Sequence, residues 1–437
     1  MKKKFWIALI IFSLVGQIAW VVENMYFNVF IYKMFNASAK DISLMVSFSA
    51  IAATLTTIFM GALSDKVGKR KIFICFGYLA WGISILSFAF IRKGIISSLF
   101  GEAVNAFTVG VTLVIIMDCV MTFFGSTAND ACFNAWLTDN TDNTNRGIAE
   151  GLNSMMPLIA ILAVFGGFMG FNLDLESSWT IIYIVIGCVV SLIGILGFFL
   201  ISDNNTKKQD DIGYFQTILY GFRPSVIKKE NNLYFTLLFF TIFGIAIQIF
   251  MPYLIIYYEK SLEMTDYVLI MAPAIILASV VTFFYGKIYD KVGYNKSIIP
   301  SLLILLLGFI ILYLFPGVIN IQGFLMKAIV FIGSLLMMSG YLSGMAVFGA
   351  KIRDCTPVNM AGRFQGLRIV GQVLIPGVIG PMIGAMVLTN ASSIINNDGT
   401  TSFLPNKNIF LASLIVTIVL IIVMLLFIKL TKRKDNQ

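Results

Sequence analysis

The chain has 437 residues, 58% of them hydrophobic and only 12% charged, with a net charge of +9. Soluble domains are about half apolar and about a quarter charged, so the composition points to a membrane protein, and the basic residues, scattered in short clusters between apolar runs, read as membrane orientation and not as nucleic-acid binding. The absence of histidine removes Ser-His-Asp triads, HExxH zinc sites and histidine proton relays. No enzyme activity, metal site or cofactor is therefore expected, and Cys75, Cys119, Cys132, Cys188 and Cys355, with no CxxC pair among them, read as packing residues.

The opening "MKKKFWIALIIFSLVG" has the basic start and apolar middle of a secretory signal, but its apolar run continues to Tyr32 and reads as a retained first span. Further apolar runs start near residues 41, 72, 108, 152, 179, 233, 268, 297, 325, 366 and 409. Each is about 20 residues long, the length that crosses a bilayer. The predicted fold is an all-α integral membrane protein with twelve transmembrane helices. Placing the N-terminus in the cytoplasm puts Lys2 to Lys4, the Lys66–Lys71 cluster, Lys228, Lys229, Lys351, Arg353 and the tail Lys429–Lys434 inside. The outer side keeps Lys33, Lys40, Arg92, Lys93, Lys260, Lys327 and Lys407. This asymmetry fits the positive-inside rule with both termini cytoplasmic.

Polar residues interrupt certain spans, and a carboxylate in hydrocarbon costs about 3 kcal/mol or more. In span 1, Gln17, Asn24 and Asn28 fall within about 40° of one another at 100° per residue. Trp20 and Glu23 widen that arc to about 140°, which puts Glu23 at its edge. Span 4 carries Asp118, Thr122, Ser126, Asn129 and Asp130 on one face. Asp118 and Asp130 are about 18 Å apart along the axis and cannot form one site. Residues 202–232 form the longest polar stretch, in which Ile212, Phe215, Ile218, Leu219 and Phe222 recur at helical spacing. That pattern predicts an amphipathic surface helix in a linker between residues 1–201 and 233–437. In span 7, Gln248 lies near Pro252, Tyr253 and Tyr257, and Pro252 should loosen the helix. Span 10 offers Ser339, Tyr341 and Ser343. Such groups either border a water-filled cavity or bond helices together. The acids, with no Lys or Arg at mid-span to pair with them, are expected to take up and release a proton.

Two stretches match each other. "GALSDKVGKRK" begins at Gly61 and "GKIYDKVGYNK" at Gly286, an offset of 286 − 61 = 225. Asp139 before Gly151-Leu152 corresponds to Asp354 before Gly366-Leu367, an offset of 215 at both positions. The chain therefore reads as two parallel six-span repeats, an arrangement that places a solute site at the repeat interface. Glu23 in one half then faces Gln248 in the other, since 23 + 225 = 248.

Gly61, Leu63, Asp65, Lys66, Gly68, Lys69 and Arg70 resemble the loop signature of the major facilitator superfamily, and with twelve spans the resemblance covers the whole chain. It implies a latch between halves, carried by Asp65 and Arg70 with Gly61 and Gly68 shaping the loop, and more weakly by Asp290, whose copy has Tyr294 and Asn295 in place of the basic pair. It also implies that spans 1, 4, 7 and 10 line the cavity. "NDACFNAWLTD" at residues 129–139 resembles the fourth span of glycoside–pentoside–hexuronide:cation symporters, with Asp130 and Phe133 matching and Asn134 in place of a Trp. That resemblance implies that Asp130 binds solute hydroxyls or the coupling ion. Sodium-using members carry two Asp residues in span 2, where "AIAATLTTIFMG" has none, so a proton is favoured over sodium. "GVIGPMIGA" in span 11 resembles a run of drug/proton antiporters that belongs in span 5; it reads first as helix packing.

The expected protein is a monomeric, multi-pass plasma-membrane carrier that takes up a sugar or glycoside with a proton by alternating access. Its solute and ion residues are expected to be Glu23, Asn24, Asn28, Asp118, Asn129, Asp130, Gln248 and Tyr253. Proton-coupled efflux of drugs or metabolites is the alternative, followed by a transport-inactive membrane sensor.

Overall fold

Every apolar run long enough to cross a bilayer forms a helix, and each helix begins within three residues of the expected start. The computed structural model describes residues 3–101, 105–141, 146–203, 220–315, 318–319, 321–356, 361–396 and 400–435. Its twelve membrane-length helices are α1 (Lys3–Phe35), α2 (Ala39–Val67), α3 (Arg70–Phe88), α4 (Ala106–Asp139), α5 (Gly151–Phe168) and α6 (Glu176–Leu200), then α7 (Asn231–Ser261), α8 (Tyr267–Val292), α9 (Tyr294–Leu314), α10 (Gly323–Cys355), α11 (Gly366–Val387) and α12 (Asn408–Lys429).

Local sequence sets the helix ends. Ser38 and Asp41 form a capping box at the start of α2: the Asp41 amide donates to Ser38 Oγ at 3.2 Å and the Ser38 amide to Asp41 Oδ2 at 2.9 Å. Gly68, at φ 70°, ends α2 in the left-handed conformation that glycine adopts without strain. Asn105 caps α4 by accepting from the Phe107 and Thr108 amides. A separate short helix, Lys93–Phe100, precedes this cap, which is why Arg92 and Lys93 stand ahead of the fourth span and not within it.

The chain divides into two compact units, Met1–Tyr220 with Ile395–Ser402, and Gly221–Ile394 with Phe403–Gln437. In the first, α3 packs on α6, α1 on α5 and α6, and α2 on α4. In the second, α9 packs on α10 and α12, α7 on α11 and α12, and α8 on α10. Small residues bring backbones together at these seams. A Cβ on Gly194 of α6 would sit 2.6 Å from the Leu79 amide of α3, and one on Gly308 of α9 would sit 2.6 Å from the Met337 Cα of α10.

One element adds to the all-helical expectation. β1 (Ser393–Ile395) and β2 (Thr401–Phe403) pair as a hairpin between α11 and α12. Asp398-Gly399 between β-branched residues is the sequence signal for it. Most of the amphipathic linker (Ile212, Phe215, Ile218 and Leu219) lies outside the described residues. Phe222 ends a 3-10 turn, and a six-residue helix, Pro224–Lys229, follows. All five cysteines are free thiols; Cys75 and Cys132 are buried, Cys119 and Cys355 half-buried, and Cys188 exposed.

Candidate functional site

Two acids of the first unit, Glu23 and Asp130, lie where helices depart from α geometry. Val22–Phe27 in α1 and Ser126–Phe133 in α4 are π-helical. A π turn widens the helix and is common at functional sites. Glu23 sits in the first of these and Asn129 and Asp130 in the second.

Glu23 is 6% exposed. Its Oε1 accepts hydrogen bonds from Ser49 of α2 and Thr122 of α4, each at 2.8 Å, and the two hydroxyls lie 2.8 Å apart. The second carboxylate oxygen, Oε2, is buried with no partner. One turn back along α4, Asp118 is 2% exposed and its Oδ1 is also buried and unpartnered. Among the described residues no Lys or Arg pairs with Glu23 or Asp118. Glu23 sits at a polar junction of three helices, which the polar arc of span 1 alone does not show because Ser49 and Thr122 belong to other helices.

Asp130 is half-buried and accepts from Ser126 Oγ at 3.0 Å, four residues earlier. Its neighbour Asn129 is 4% exposed and already engaged. The Asn129 amide donates to the Tyr78 hydroxyl at 2.6 Å, and Tyr78 donates to the Phe12 carbonyl at 2.8 Å. Asn129 thus ties α1, α3 and α4 together. Asn24 is exposed, with its amide on the Trp20 carbonyl at 2.8 Å. Asn28 is 1% exposed; its amide donates to the Asn24 carbonyl at 2.9 Å, while its Oδ1 is buried without a partner.

In the second unit, Gln248 is half-buried against α11, where a Cβ on Gly380 would lie 2.9 Å from the Gln248 carbonyl carbon. Tyr253 is fully buried and donates to the Pro381 carbonyl at 3.3 Å. Its ring fills the space beside Gly384. The Gly380-Pro381-Gly384 run is therefore the seam between α7 and α11. Pro252, which lacks an N–H, sits in a 3-10 turn, Met251–Tyr253.

At the other end of the first unit, Arg70 is only 5% exposed. It pairs with Asp65, donates to Asp139 Oδ2 at 3.2 Å and to Ser64 Oγ at 2.5 Å. Ser64 donates in turn to the Gly61 carbonyl at 2.8 Å. The loop after α2 is thereby fixed to the end of α4. In the second unit Tyr289 donates to Asp354 at 2.5 Å. Asp290 is exposed and makes no ion pair among the described residues. Ser49, Tyr78 and Ser64 were not singled out by the sequence, and Asp139 stood only as an anchor of the repeat. No group of three or more His, Cys, Asp or Glu that could hold a metal occurs among the described residues.

Twelve helices long and apolar enough to cross a bilayer define a multi-pass membrane protein. The sequence profile of the Major Facilitator Superfamily matches residues 5–347, and the chain belongs to that superfamily; it is a secondary transporter and not an enzyme. Its fold is similar to that of a mutant form of the nucleoside transporter NupG, with a TM-score of 0.73 and 12% identity over 96% of this chain and 98% of that one. It is also similar to the xylose transporter XylE from E. coli in a partially occluded inward-open conformation, with a TM-score of 0.68 and 12% identity over 98% of this chain and 99% of that one. A bacterial homologue of the human lysosomal transporter Spinster aligns with a TM-score of 0.61 and 14% identity, over 96% of each chain. No curated protein matches by sequence.

Proposed function

We propose that the protein is a proton-coupled symporter of a sugar or glycoside in the plasma membrane. The Glu23–Asp118 pair carries this reading. Two acids linked through Thr122, which bonds Glu23 and lies one turn from Asp118, each with a buried oxygen that accepts no hydrogen bond, are costly as a pair of anions. A bound proton supplies the missing charge and a donor. A group that must gain and lose a proton as access alternates between the two sides couples solute movement to the proton gradient.

Under this reading the labour is divided. Glu23 and Asp118 hold the coupling proton, with Ser49 and Thr122 orienting the Glu23 carboxyl. Asp130, half-buried and accepting from Ser126 of its own helix, accepts from solute hydroxyls together with the side chains of Asn24 and Asn28. Gln248 and Tyr253 are the proposed contribution of the second half, and Asn129 holds the frame. The two halves, residues 1–201 and 233–437, are proposed to be parallel repeats with both termini cytoplasmic. Helix pairings that recur six helices later, α2 with α4 and α8 with α10 among them, support the repeat. The Asp65–Arg70 pair, with Gly61 and Gly68, is the proposed latch, while Asp290 would be its weaker counterpart.

Uptake into proteoliposomes tests the proposal, with a panel of radiolabelled sugars, glycosides and nucleosides under imposed proton or sodium gradients. Saturable sugar accumulation driven by the proton gradient is expected. Glu23→Gln should abolish accumulation while leaving exchange of solute across the membrane. A lack of saturable sugar flux under both gradients sinks the sugar assignment, and gradient-driven accumulation by Glu23→Gln at the parent rate sinks the coupling role.

A further inference from the structure

The transport reading leaves one cavity unused. Between α2, α3 and α4 lies a space of about 320 Å³, with Met60, Phe76, Ala80, Ile83 and Phe123 in its walls. Its floor includes Gly77, where a Cβ would come within 2.7 Å of the Ala128 Cβ. Thr127, the polar residue of the lining, turns its hydroxyl to the Phe123 carbonyl at 2.7 Å, so the surface offered is apolar throughout. Phe76 and Ile83 are 55% and 56% exposed, and the cavity opens on the outer face of the unit.

Length and charge identify the occupant. The lining runs along α3 from Ile72 to Ile83, about 16 Å at 1.5 Å per residue. That is about half of the roughly 30 Å hydrocarbon core, the depth of one leaflet. Ile72 and Phe73 bring the groove within one turn of the start of α3, where Lys66, Lys69 and Lys71 cluster. The nearby acids are committed elsewhere: Asp65 and Asp139 to Arg70, and Asp203 to the Lys71 amide at 2.8 Å. None of the three lysines makes an ion pair among the described residues. An apolar groove alone does not select among lipids, since chain and groove are equally at home in hydrocarbon. A basic cluster at one end does select, by attracting a negative headgroup.

We infer that the α2–α3–α4 groove is a binding site for one anionic glycerophospholipid, with an acyl chain along α3 and the phosphate headgroup at Lys66, Lys69 and Lys71. The leaflet that supplies it follows from the cytoplasmic placement of this loop proposed above; the site itself does not depend on the transport reading.

Native mass spectrometry of the detergent-purified full chain tests the site, with phosphatidylglycerol and phosphatidylcholine of identical acyl chains as probes. One phosphatidylglycerol should be retained in preference to phosphatidylcholine. The double variant Lys69→Gln/Lys71→Gln, at the loop end of the groove, should lower that preference by about 30-fold, from about a tenfold loss per 1.4 kcal/mol and about 1 kcal/mol per lysine. Ala80→Trp, which fills the groove, should remove the retained lipid of either kind, whereas Ile184→Trp, on the lipid-exposed face of α6, should not. Equal retention of the two lipids by the parent chain, or an unchanged preference in the lysine double variant, overturns the site. Undiminished retention by Ala80→Trp overturns the groove as the place where the chain lies.

Discussion

Replacing Arg70 by Met removes the one cation that joins Asp65, Asp139 and Ser64. Breaking a fully buried ion pair by deleting one partner costs about 3–5 kcal/mol, mostly because the other charge is stranded. Arg70 itself is enclosed, but the side chains of Asp65 and Asp139 are 36% and 24% exposed, so water can take up part of the stranded charge. Allowing for that screening, the expected loss is about 1–3 kcal/mol. Arg70→Lys should recover only part of it, because a single ammonium cannot meet the three partners that the guanidinium fork reaches. The informative comparison is the triple variant Arg70→Met/Asp65→Asn/Asp139→Asn. With the stranded carboxylates neutralised, it should be more stable than Arg70→Met alone. Thermal unfolding in detergent, followed as loss of the monodisperse peak on size exclusion, measures all four proteins. If Arg70→Met unfolds with the parent, or the triple variant unfolds before the single one, charge compensation is not what holds the loop to α4.

Tyr289→Phe, which removes the contact to Asp354 in the second unit, should lower stability by less than about 1 kcal/mol, because Asp354 is exposed and readily solvated; a loss as large as that of Arg70→Met would contradict this. Asn129→Leu leaves the buried Tyr78 hydroxyl without its donor and should destabilise by about 1–3 kcal/mol. Tyr78→Phe in the same background should recover part of that loss, and an additive loss would show that the two groups act separately. Gly340→Leu drives a side chain into the Leu305 backbone, where even a Cβ would sit 2.5 Å from the Leu305 Cα. It should open the α9–α10 seam and sharply reduce the folded yield, while Gly349→Leu, with nothing within 4 Å of its Cβ position, should fold as the parent does.

The helices were legible because hydrocarbon admits so few solutions. With no water in the bilayer core, a run of about 20 apolar residues satisfies its backbone N–H and C=O groups within the segment by forming a helix. The hairpin at Ser393–Ile395 and Thr401–Phe403 went unread because its strands are three residues long and sit between two dominant apolar runs. Arg70 stood out in the sequence through its motif. Its full set of partners was not, because Asp139 lies 69 residues away.

Taken alone, the sequence determined that this chain crosses a membrane as twelve helices and that acids sit at depths where they need a reason to be. Both follow from chain-local quantities, namely hydropathy over a window and the cost of a charge in hydrocarbon. Only the tertiary structure decided which of those polar groups are already satisfied and which are not. Asn129 is consumed by Tyr78, and Tyr253 by the Pro381 carbonyl. Glu23 and Asp118 keep open oxygens. A hydrogen bond depends on the meeting of two helices, and on π turns that rotate side chains out of the regular spacing, and neither is written in the periodicity of one span.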